Sequence, residues 1–289
     1  MLILNTFQQL QQAIQSFRAA QKSIALVPTM GNLHSGHLQL VKTARKHADV
    51  VIVSLFVNPT QFGANEDLDN YPKTHQADIE KLEELNTELL FMPSIKEIYP
   101  LGGENTTHVH VPQLTRVLCG ASRPGHFDGV TTIVCKLFNM TGADIAIFGE
   151  KDFQQLAVIR RMVADLNIPI TIIGEAIVRE SDGLAMSSRN GYLSTEQRKI
   201  APKLYQVLLD IQQKISQGRK NYTELEKTAK TTLKTAGFKP DYISIVQHDT
   251  LLAAQEEDTS LVILAAAYLG KTRLIDNINI QESQILATE

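Results

Sequence analysis

Two histidines, His34 and His37, lie three residues apart at the end of the stretch Pro28–His37, which reads PTMGNLHSGH. The apolar run Ile24–Val27 precedes this stretch and the helical pattern Leu38–Ala44 follows it, which predicts that a strand ends here and a helix begins. Histidines at this spacing share one face of the first helical turn, where unpaired backbone N–H groups and the helix dipole favour anions. The turn is therefore predicted to bind nucleotide phosphates.

The loop after the next predicted strand, Val50–Phe56, carries an amide side chain. Its sequence is VNPTQFG, in which Pro59 fixes the turn and Gln61 follows two residues later. The Gln61 amide can both donate and accept hydrogen bonds. The segment alone leaves two interpretations open, a substrate-binding side chain or an ordinary polar residue of a loop.

A second strand, turn and helix are predicted around the segment Phe148–Gln155, which reads FGEKDFQQ. Gly149 lets the backbone come close to a ligand, and Lys151 is a mobile positive charge suited to phosphate. Asp152 either caps the following helix or accepts a hydrogen bond from a nucleotide hydroxyl. Gln155 lies one helical turn later, so its side chain is predicted to face the same cleft.

Two further loops carry arginine. The tripeptide Ser187–Arg189 follows a predicted hinge at 174–182 and is interpreted either as a mobile loop that grips phosphate or as a solvated linker. Arg123 and His126 lie on a Pro/Gly loop before a helical pattern, where they can meet a carboxylate or a phosphate. Taken alone, this last segment favours a surface turn.

Composition excludes several classes of protein. The chain has 289 residues, 43% of them hydrophobic and 20% charged, which is typical of a globular protein. A net charge of −3 without a basic block gives no nucleic-acid footprint, and no Gly-x-Gly-x-x-Gly motif follows a strand. Cys119 and Cys135 are interpreted as reduced thiols. The N-terminal residues lack the basic segment of a signal peptide and the run Leu261–Ala267 is too short to cross a bilayer, so a cytoplasmic protein is expected.

The order of apolar runs and helical patterns predicts an α/β fold. Helical patterns at about 36–47, 75–86, 130–142 and 152–167 lie among apolar runs at Ile24–Val27, Val50–Phe56, Glu88–Met92, Asp144–Phe148 and Pro169–Ile173. This alternation predicts a Rossmann-like, doubly wound parallel sheet in a first domain, residues 1–176. In such sheets ligands bind beyond the carboxyl ends of the strands.

The pattern changes after residue 176. A capping-box sequence, Ser194 to Gln197, opens a helical stretch that reaches about residue 217, and a second helix is predicted at about 222–236. Three short strand-like runs follow. Residues 177–289 are therefore predicted to form a smaller C-terminal α+β domain, which is expected to act as a lid.

Taken together, these segments resemble the pantoate–β-alanine ligases (pantothenate synthetases), a family of the His-x-Gly-His nucleotidyltransferase superfamily. The resemblance extends from Pro28 to Asn277 and is carried by four motifs in order, PTMGxLHxGH, FVNPxQF, FGEKDFQQ and SSRN. It implies a reaction in two steps. ATP and (R)-pantoate first give pantoyl adenylate and pyrophosphate, and the amine of β-alanine then attacks the adenylate to give pantothenate and AMP.

The resemblance also implies roles for individual residues. His37, His34 and Lys151 are expected to be catalytic, with His37 the candidate proton donor. Gln61 and Gln155 are expected to hold pantoate, and Gln61 also borders the β-alanine pocket. The residues expected to bind ATP are Met30, Gly31, Asn32, Leu33, His34, Ser35, Gly36, His37, Gly149, Glu150, Lys151, Asp152, Val178, Met186, Ser187, Ser188 and Arg189.

A metal and a second subunit are implied in the same way. Mg²⁺ is expected to accompany ATP, held chiefly by phosphate oxygens and water. Asp78 resembles the acidic residue that the family places near the metal. The family typically forms homodimers, so a homodimer is expected here.

Two other functions fit these residues less well. A nucleotidyltransferase acting on a phosphate-bearing acceptor is disfavoured by Gln61 and Gln155, because a second phosphate calls for more arginines. A catalytically silent nucleotide-binding regulator is disfavoured by the presence of both histidines, Lys151 and Arg189.

Overall fold

A computed structural model gives the fold and describes residues 1–63, 66 and 68–280. Contacts divide the chain into two compact units. Unit 1 comprises Met1–Arg116, Gly120–Glu150 and Gln155–Ala176, and unit 2 comprises Val117–Cys119, Lys151–Gln154 and the described residues from Ile177 onward. Two short segments that precede residue 176 thus group with the second unit.

The sheet of unit 1 is parallel, and its strand order among the described residues is β1-β4-β3-β2-β5-β6. The strands are β1 (Leu2–Leu4), β2 (Ile24–Thr29), β3 (Val50–Leu55), β4 (Leu89–Phe91), β5 (Ile145–Gly149) and β6 (Thr171–Glu175). Because β2 lies between β3 and β5, the chain winds outward from β2 in both directions, which makes the β2/β5 boundary the topological switch point. The predicted doubly wound parallel sheet is confirmed, and β1 is an additional strand that the sequence did not predict.

Helices cover both faces of this sheet. They are α1 (Phe7–Ala19), α2 (Ser35–His47), α3 (His75–Glu84), α4 (Ile95–Ile98), α5 (Cys119–Ser122), α6 (His126–Thr141) and α7 (Phe153–Asp165). Val41 of α2 and Leu82 of α3 share a buried cluster with Ile147 of β5. Phe138 of α6 meets Phe148, the next residue of β5, edge to face at 6.3 Å between ring centroids. Successive strand residues point to opposite faces, so α2 and α6 pack on opposite sides.

Two helix boundaries differ from the sequence prediction. Helix α6 begins at His126 rather than near 130, because Gly125 takes a left-handed conformation with a φ of 79° and starts the helix there. The long helix predicted from 194 to 217 is two helices, α8 (Thr195–Ile200) and α9 (Lys203–Ser216). The break falls at Pro202, which has no N–H to donate within a helix. The predicted capping box at Ser194 is confirmed.

Unit 2 is built on an antiparallel sheet with the order β7-β8-β9 among the residues described. Its strands are β7 (Lys239–Gln247), β8 (Leu261–Leu269) and β9 (Thr272–Ile280), and α10 (Tyr222–Thr235) completes its helices. Leu208 and Ile211 of α9 pack with Leu233 of α10 and Ile263 of β8 in one buried cluster. The predicted α+β class of this region is confirmed. No helix of the described residues is both long enough and apolar enough to cross a membrane.

Candidate active site

The turn that follows β2 is held in place by α3. Gly31 and Asn32 have φ angles of 86° and 51°, so two successive residues are left-handed. The fully buried carboxylate of Asp78 accepts the N–H of Asn32 at 2.9 Å and the N–H of Leu33 at 2.7 Å. Lys81, one helical turn further along α3, donates to the carbonyl of Leu33 at 2.7 Å. One face of α3 therefore binds two N–H groups and one carbonyl of this turn.

These contacts change the prediction that unpaired N–H groups of the turn bind an anion. Asp78, the Thr29 hydroxyl and the two histidine rings accept the backbone N–H groups of the turn. The donors taken in this way are the N–H groups of Gly31, Asn32, Leu33, His34 and Gly36. Since these five N–H groups already donate within the protein, an anion beside them would have to be bound by side chains.

Both histidines are oriented by the backbone at the start of α2. His34 is the N-cap residue, and its Nδ1 accepts the N–H of Gly36 at 3.1 Å. His37 Nδ1 lies 3.4 Å from the N–H of His34, and the two ring centroids are 4.1 Å apart. A neutral imidazole whose Nδ1 accepts a hydrogen bond carries its hydrogen on Nε2. Each ring therefore carries a donor at Nε2, the tautomer suited to a phosphate oxygen.

The turn after β3 brings Gln61 to the end of β2. Gln61 lies in a 3₁₀ turn, Pro59–Gln61, and only 9% of its surface is exposed. Its Nε2 lies 3.1 Å from the sulfur of Met30, and its Oε1 accepts from the Asn58 amide at 3.1 Å. Buried Asn58 in turn accepts from the hydroxyl of Tyr99 at 2.8 Å. Burial raises the pKa of Tyr99, so this hydroxyl remains a donor. Two residues predicted for different substrates, Met30 and Gln61, thus lie in contact.

The turn after β5 has open space beside its glycine, Gly149. A side chain at Gly149 would meet no described atom within 4 Å, so packing within the protein does not explain this glycine. A 3₁₀ turn, Glu150–Asp152, follows it and leads into α7. Gln155 on α7 is half-buried. Gln154, by contrast, is buried and has a structural role. Its amide donates to the carbonyl of residue 117 at 2.8 Å and accepts the N–H of residue 119 at 3.0 Å.

In unit 2, the backbone of Lys151 is bonded to a residue of β9. Its carbonyl accepts the Asn277 side-chain N–H at 3.1 Å. The neighbouring Asp276 is 3% exposed and receives two bonds from Arg179, at 2.7 and 2.9 Å. The guanidinium also stacks on Tyr205, 3.6 Å from the ring centroid. Burial raises the pKa of Asp276, and the bonds and charge of Arg179 oppose that rise.

The segment predicted to bind adenine and phosphate is a structured hairpin rather than a linker. The carbonyl of Val178 accepts the N–H of Met186 at 3.0 Å, and Arg179 pairs with Ala185 as an antiparallel bridge. The hydroxyl of Ser187 accepts the N–H of Arg189 at 3.2 Å, which caps the 3₁₀ turn that begins at Ser188. The backbone of this loop is therefore shaped by its own hydrogen bonds.

The described residues do not build a separate metal centre. None of their His, Cys, Asp and Glu side chains form groups of three or more that could hold a metal ion. Asp78, predicted near Mg²⁺, accepts three hydrogen bonds, from Asn32, Leu33 and the Thr74 hydroxyl at 3.1 Å. These bonds make Asp78 a support of the turn after β2, and its expected place near Mg²⁺ stays a prediction.

A model of the pantoate-beta-alanine ligase family matches residues 2–279. The chain belongs to this family. The family and the ligase class predicted from the motifs are confirmed, and ATP-dependent ligation of pantoate and β-alanine is the reaction of that family. The Rossmann-like fold predicted with it is confirmed as well.

Named relatives and solved structures agree with this membership. The chain is similar to the pantothenate synthetase of Pseudomonas fluorescens, with 54% identity over 277 residues, 96% of this chain and 97% of the relative. For the enzyme of Azotobacter vinelandii the identity is 55%, over 97% of this chain and 99% of the relative. The structure of pantothenate synthetase from Thermus thermophilus has a TM-score of 0.90 at 42% identity, covering 97% of this chain and 100% of that one.

A further solved structure is a complex. The pantoate-beta-alanine ligase of Francisella tularensis, complexed with beta-gamma ATP and beta-alanine, has a TM-score of 0.80 at 37% identity, over 96% of this chain and 97% of that one.

Sequence reasoning missed several residues that support the candidate site. Lys81 and Arg179 lie outside the motifs, and Asp276 and Asn277 entered only as the end of the family resemblance. Gln61 and Asp78 were singled out, but their partners lie far along the chain, up to 46 residues away for Asp78. The sequence did offer one signal for Asp78. It is a polar residue on the apolar, core-facing side of the amphipathic helix α3.

We expect Asp78→Asn to weaken the turn after β2, because an amide nitrogen cannot accept a backbone N–H. The free energy of unfolding in urea should fall by about 1–3 kcal/mol. Glu83→Gln, an exposed change on the same helix, is the control and should stay within about 0.5 kcal/mol of the parent. Equal stability of the two variants, with the Mg²⁺ requirement of Asp78→Asn shifted instead, would favour a metal ligand over a positioning residue.

Arg179→Lys should destabilise unit 2, because lysine cannot make the paired bonds to Asp276 or stack on Tyr205. We expect a loss of about 1–3 kcal/mol in the free energy of unfolding and a higher KM for ATP. The control is Arg198→Lys, which alters a half-exposed arginine bonded to Asp182 in the same unit. Similar, small effects at both positions would show that the buried pair does not shape the loop.

Proposed function

We propose that this protein condenses (R)-pantoate with β-alanine at a site built on the turn Met30–His37, with pantoyl adenylate as the intermediate. The observation that carries the assignment is the pair of imidazoles at the start of α2, each with its Nδ1 accepting a backbone N–H. In a neutral ring this places the hydrogen on Nε2. The family membership supports the reaction, and the Francisella tularensis complex supports ATP and β-alanine as its ligands.

The first step transfers the adenylyl group. An oxygen of the pantoate carboxylate attacks the α-phosphorus of ATP, and the bond to pyrophosphate breaks. Negative charge grows on the phosphate oxygens as this happens, and the Nε2–H groups of His34 and His37 donate to them more strongly in the transition state than in the ground state. Lys151 adds a positive charge to the same phosphates.

The second step forms the amide. The amine of β-alanine attacks the carbonyl carbon of the adenylate, AMP leaves with the pair of electrons of the broken C–O bond, and the amine gives up a proton. No covalent bond to the protein is required. Positioning and charge stabilisation supply the acceleration of this acyl transfer.

The remaining residues bind and orient the substrates. Gln61 and Gln155 hold pantoate, and Gln61 also borders β-alanine, since its buried amide can offer both a donor and an acceptor. The open position beside Gly149 supports close approach of the nucleotide to the backbone. The remaining residues assigned to ATP lie in three segments, the turn after β2, the turn after β5 and the hairpin of unit 2. They are Met30, Gly31, Asn32, Leu33, Ser35, Gly36, Glu150, Asp152, Val178, Met186, Ser187, Ser188 and Arg189.

Mg²⁺, the oligomeric state and the location complete the proposal. Because the described residues do not form a metal centre, Mg²⁺ is assigned to the phosphates of ATP and is given no step of its own. A homodimer is proposed from the family resemblance. Cys119 and Cys135 are both thiols, which fits a reducing compartment such as the cytoplasm.

Substitutions at His37 separate the bond that its Nδ1 accepts from the bond that its Nε2–H is proposed to donate to phosphate. His37→Asn keeps an acceptor near the position of Nδ1 but has no donor at Nε2, whereas His37→Gln keeps a donor there. We expect kcat for pantoate-dependent pyrophosphate release to fall about 10²–10³-fold in His37→Asn, with a smaller loss in His37→Gln. His47→Ala, an exposed histidine at the end of the same helix, is the control. A rate of His37→Asn equal to the parent at saturating substrates would contradict the catalytic assignment.

Gln61→Ala should weaken the use of pantoate far more than the use of ATP, because the side chain is assigned to the acid. We expect the KM for pantoate to rise about 10–100-fold, equivalent to one or two lost hydrogen bonds, with the KM for ATP within about twofold. A defect confined to ATP would contradict the assignment. Initial rates of pyrophosphate release at varied pantoate and at varied ATP give both constants.

A further inference from the structure

The backbone of Gln61 is held by a side chain outside the four family motifs. His126, the first residue of α6, has its Nδ1 2.7 Å from the carbonyl oxygen of Gln61. The sequence favoured a surface turn for this segment. Instead, half-buried His126 lies against the 3₁₀ turn that carries a proposed substrate-binding amide.

The neighbour of His126 decides which ring nitrogen carries the hydrogen. Arg123 Nη1 lies 2.8 Å from His126 Nε2. A guanidinium donates and cannot accept, so Nε2 must be the acceptor of this bond. The neutral ring therefore carries its hydrogen on Nδ1, and Nδ1–H donates to the carbonyl of Gln61.

Arg123 is itself fixed by a carboxylate. Its Nε and Nη2 donate to the two oxygens of Glu66, each at 2.6 Å, in the paired geometry that arginine favours. Burial raises the pKa of Glu66, but the hydrogen bond and charge of Arg123 outweigh burial and hold the pKa below its ordinary value. The ionised carboxylate orients the guanidinium, and the guanidinium selects the tautomer of His126.

The same face of α6 supports the turn a second time. A side chain at Gly129, one helical turn after His126, would lie 2.4 Å from the carbonyl oxygen of Thr60 and 2.7 Å from the nitrogen of Gln61. The carbonyl of Gly129 also accepts from the amide of Asn58 at 3.1 Å, the amide that binds Gln61. The helix and the turn therefore pack backbone to backbone at this point.

We infer that Glu66, Arg123 and His126 form a relay of positioning residues that sets the place of the Gln61 side chain and thereby the recognition of the acid substrate. The inference rests on the proposed role of Gln61 in binding pantoate. Glu66 acts through Arg123, and His126 acts through the carbonyl of Gln61. Arg123 acts through His126 and also donates from Nη2 to the same carbonyl over 3.5 Å. None of the three needs to touch the substrate.

The test compares two substitutions of His126. His126→Ala removes the shorter of the two hydrogen bonds to the Gln61 carbonyl, and we expect the KM for pantoate to rise about tenfold while kcat and the KM for ATP change less than about threefold. His126→Asn places an amide N–H near the position of Nδ1 and should recover the pantoate KM to within about threefold of the parent. His108→Ala, at an exposed histidine, is the control and should leave all three constants unchanged.

A second comparison asks whether His126 acts through Gln61. In a Gln61→Ala background the side chain that the relay positions is absent, so adding His126→Ala should raise the pantoate KM less than about twofold further. Urea unfolding of each variant checks that the chain remains folded. An equal rise in the KM for ATP, no recovery in His126→Asn, or a full additional loss in the double variant would overturn the inference.

The outcomes also separate this inference from the proposed function. A normal pantoate KM in Gln61→Ala would contradict the assigned role of Gln61 and the relay with it. A raised pantoate KM in Gln61→Ala together with a normal one in His126→Ala would overturn the relay alone and leave the proposed function intact.

Discussion

The buried carboxylate of Asp78 is the interaction on which the candidate site depends. Gly31 and Asn32 are both left-handed, a conformation that costs energy for a residue with a side chain and persists only where neighbouring groups hold it. Asp78 supplies that hold by accepting two successive N–H groups, and those bonds in turn offset the cost of burying its charge. The carboxylate and the turn are therefore stable only together.

This arrangement determines which atoms remain for chemistry. Helix starts bind anions in many proteins because their first N–H groups are unpaired. At the start of α2, Asp78 and the rings of His34 and His37 already accept the N–H groups of the turn. The bonds that the two rings accept also place a hydrogen on Nε2 of each neutral ring, so the imidazoles offer an anion side-chain donors where these backbone donors are already taken.

Sequence patterns predicted most of the strands and helices and the segments of the proposed site. They also marked Asp78, Arg123 and His126, but not the bonds by which these residues support the turns. The strands β2, β3 and β5 are continuous apolar runs, so their ends, and the turns with His34, Gln61 and Gly149, followed directly. β1 has three residues, too few for a pattern, and the break before α9 depends on one proline. The bonds of Arg123 to Glu66 and of Arg179 to Asp276 join residues 57 and 97 positions apart. A single sequence holds no information about such pairings.

The two supported turns of unit 1 follow one physical rule. A parallel sheet brings the ends of β2 and β3 to the same edge, but it does not determine the conformation of the turns beyond them. That conformation comes from polar groups on the helices that pack beside each turn, Asp78 and Lys81 on α3 and His126 on α6. Buried polar bonds are directional, and leaving one unmade is costly, so they hold a turn more tightly than apolar packing does. The turns that present reactive side chains therefore depend on polar residues of neighbouring helices, which act on the backbone of the turn rather than on the substrate.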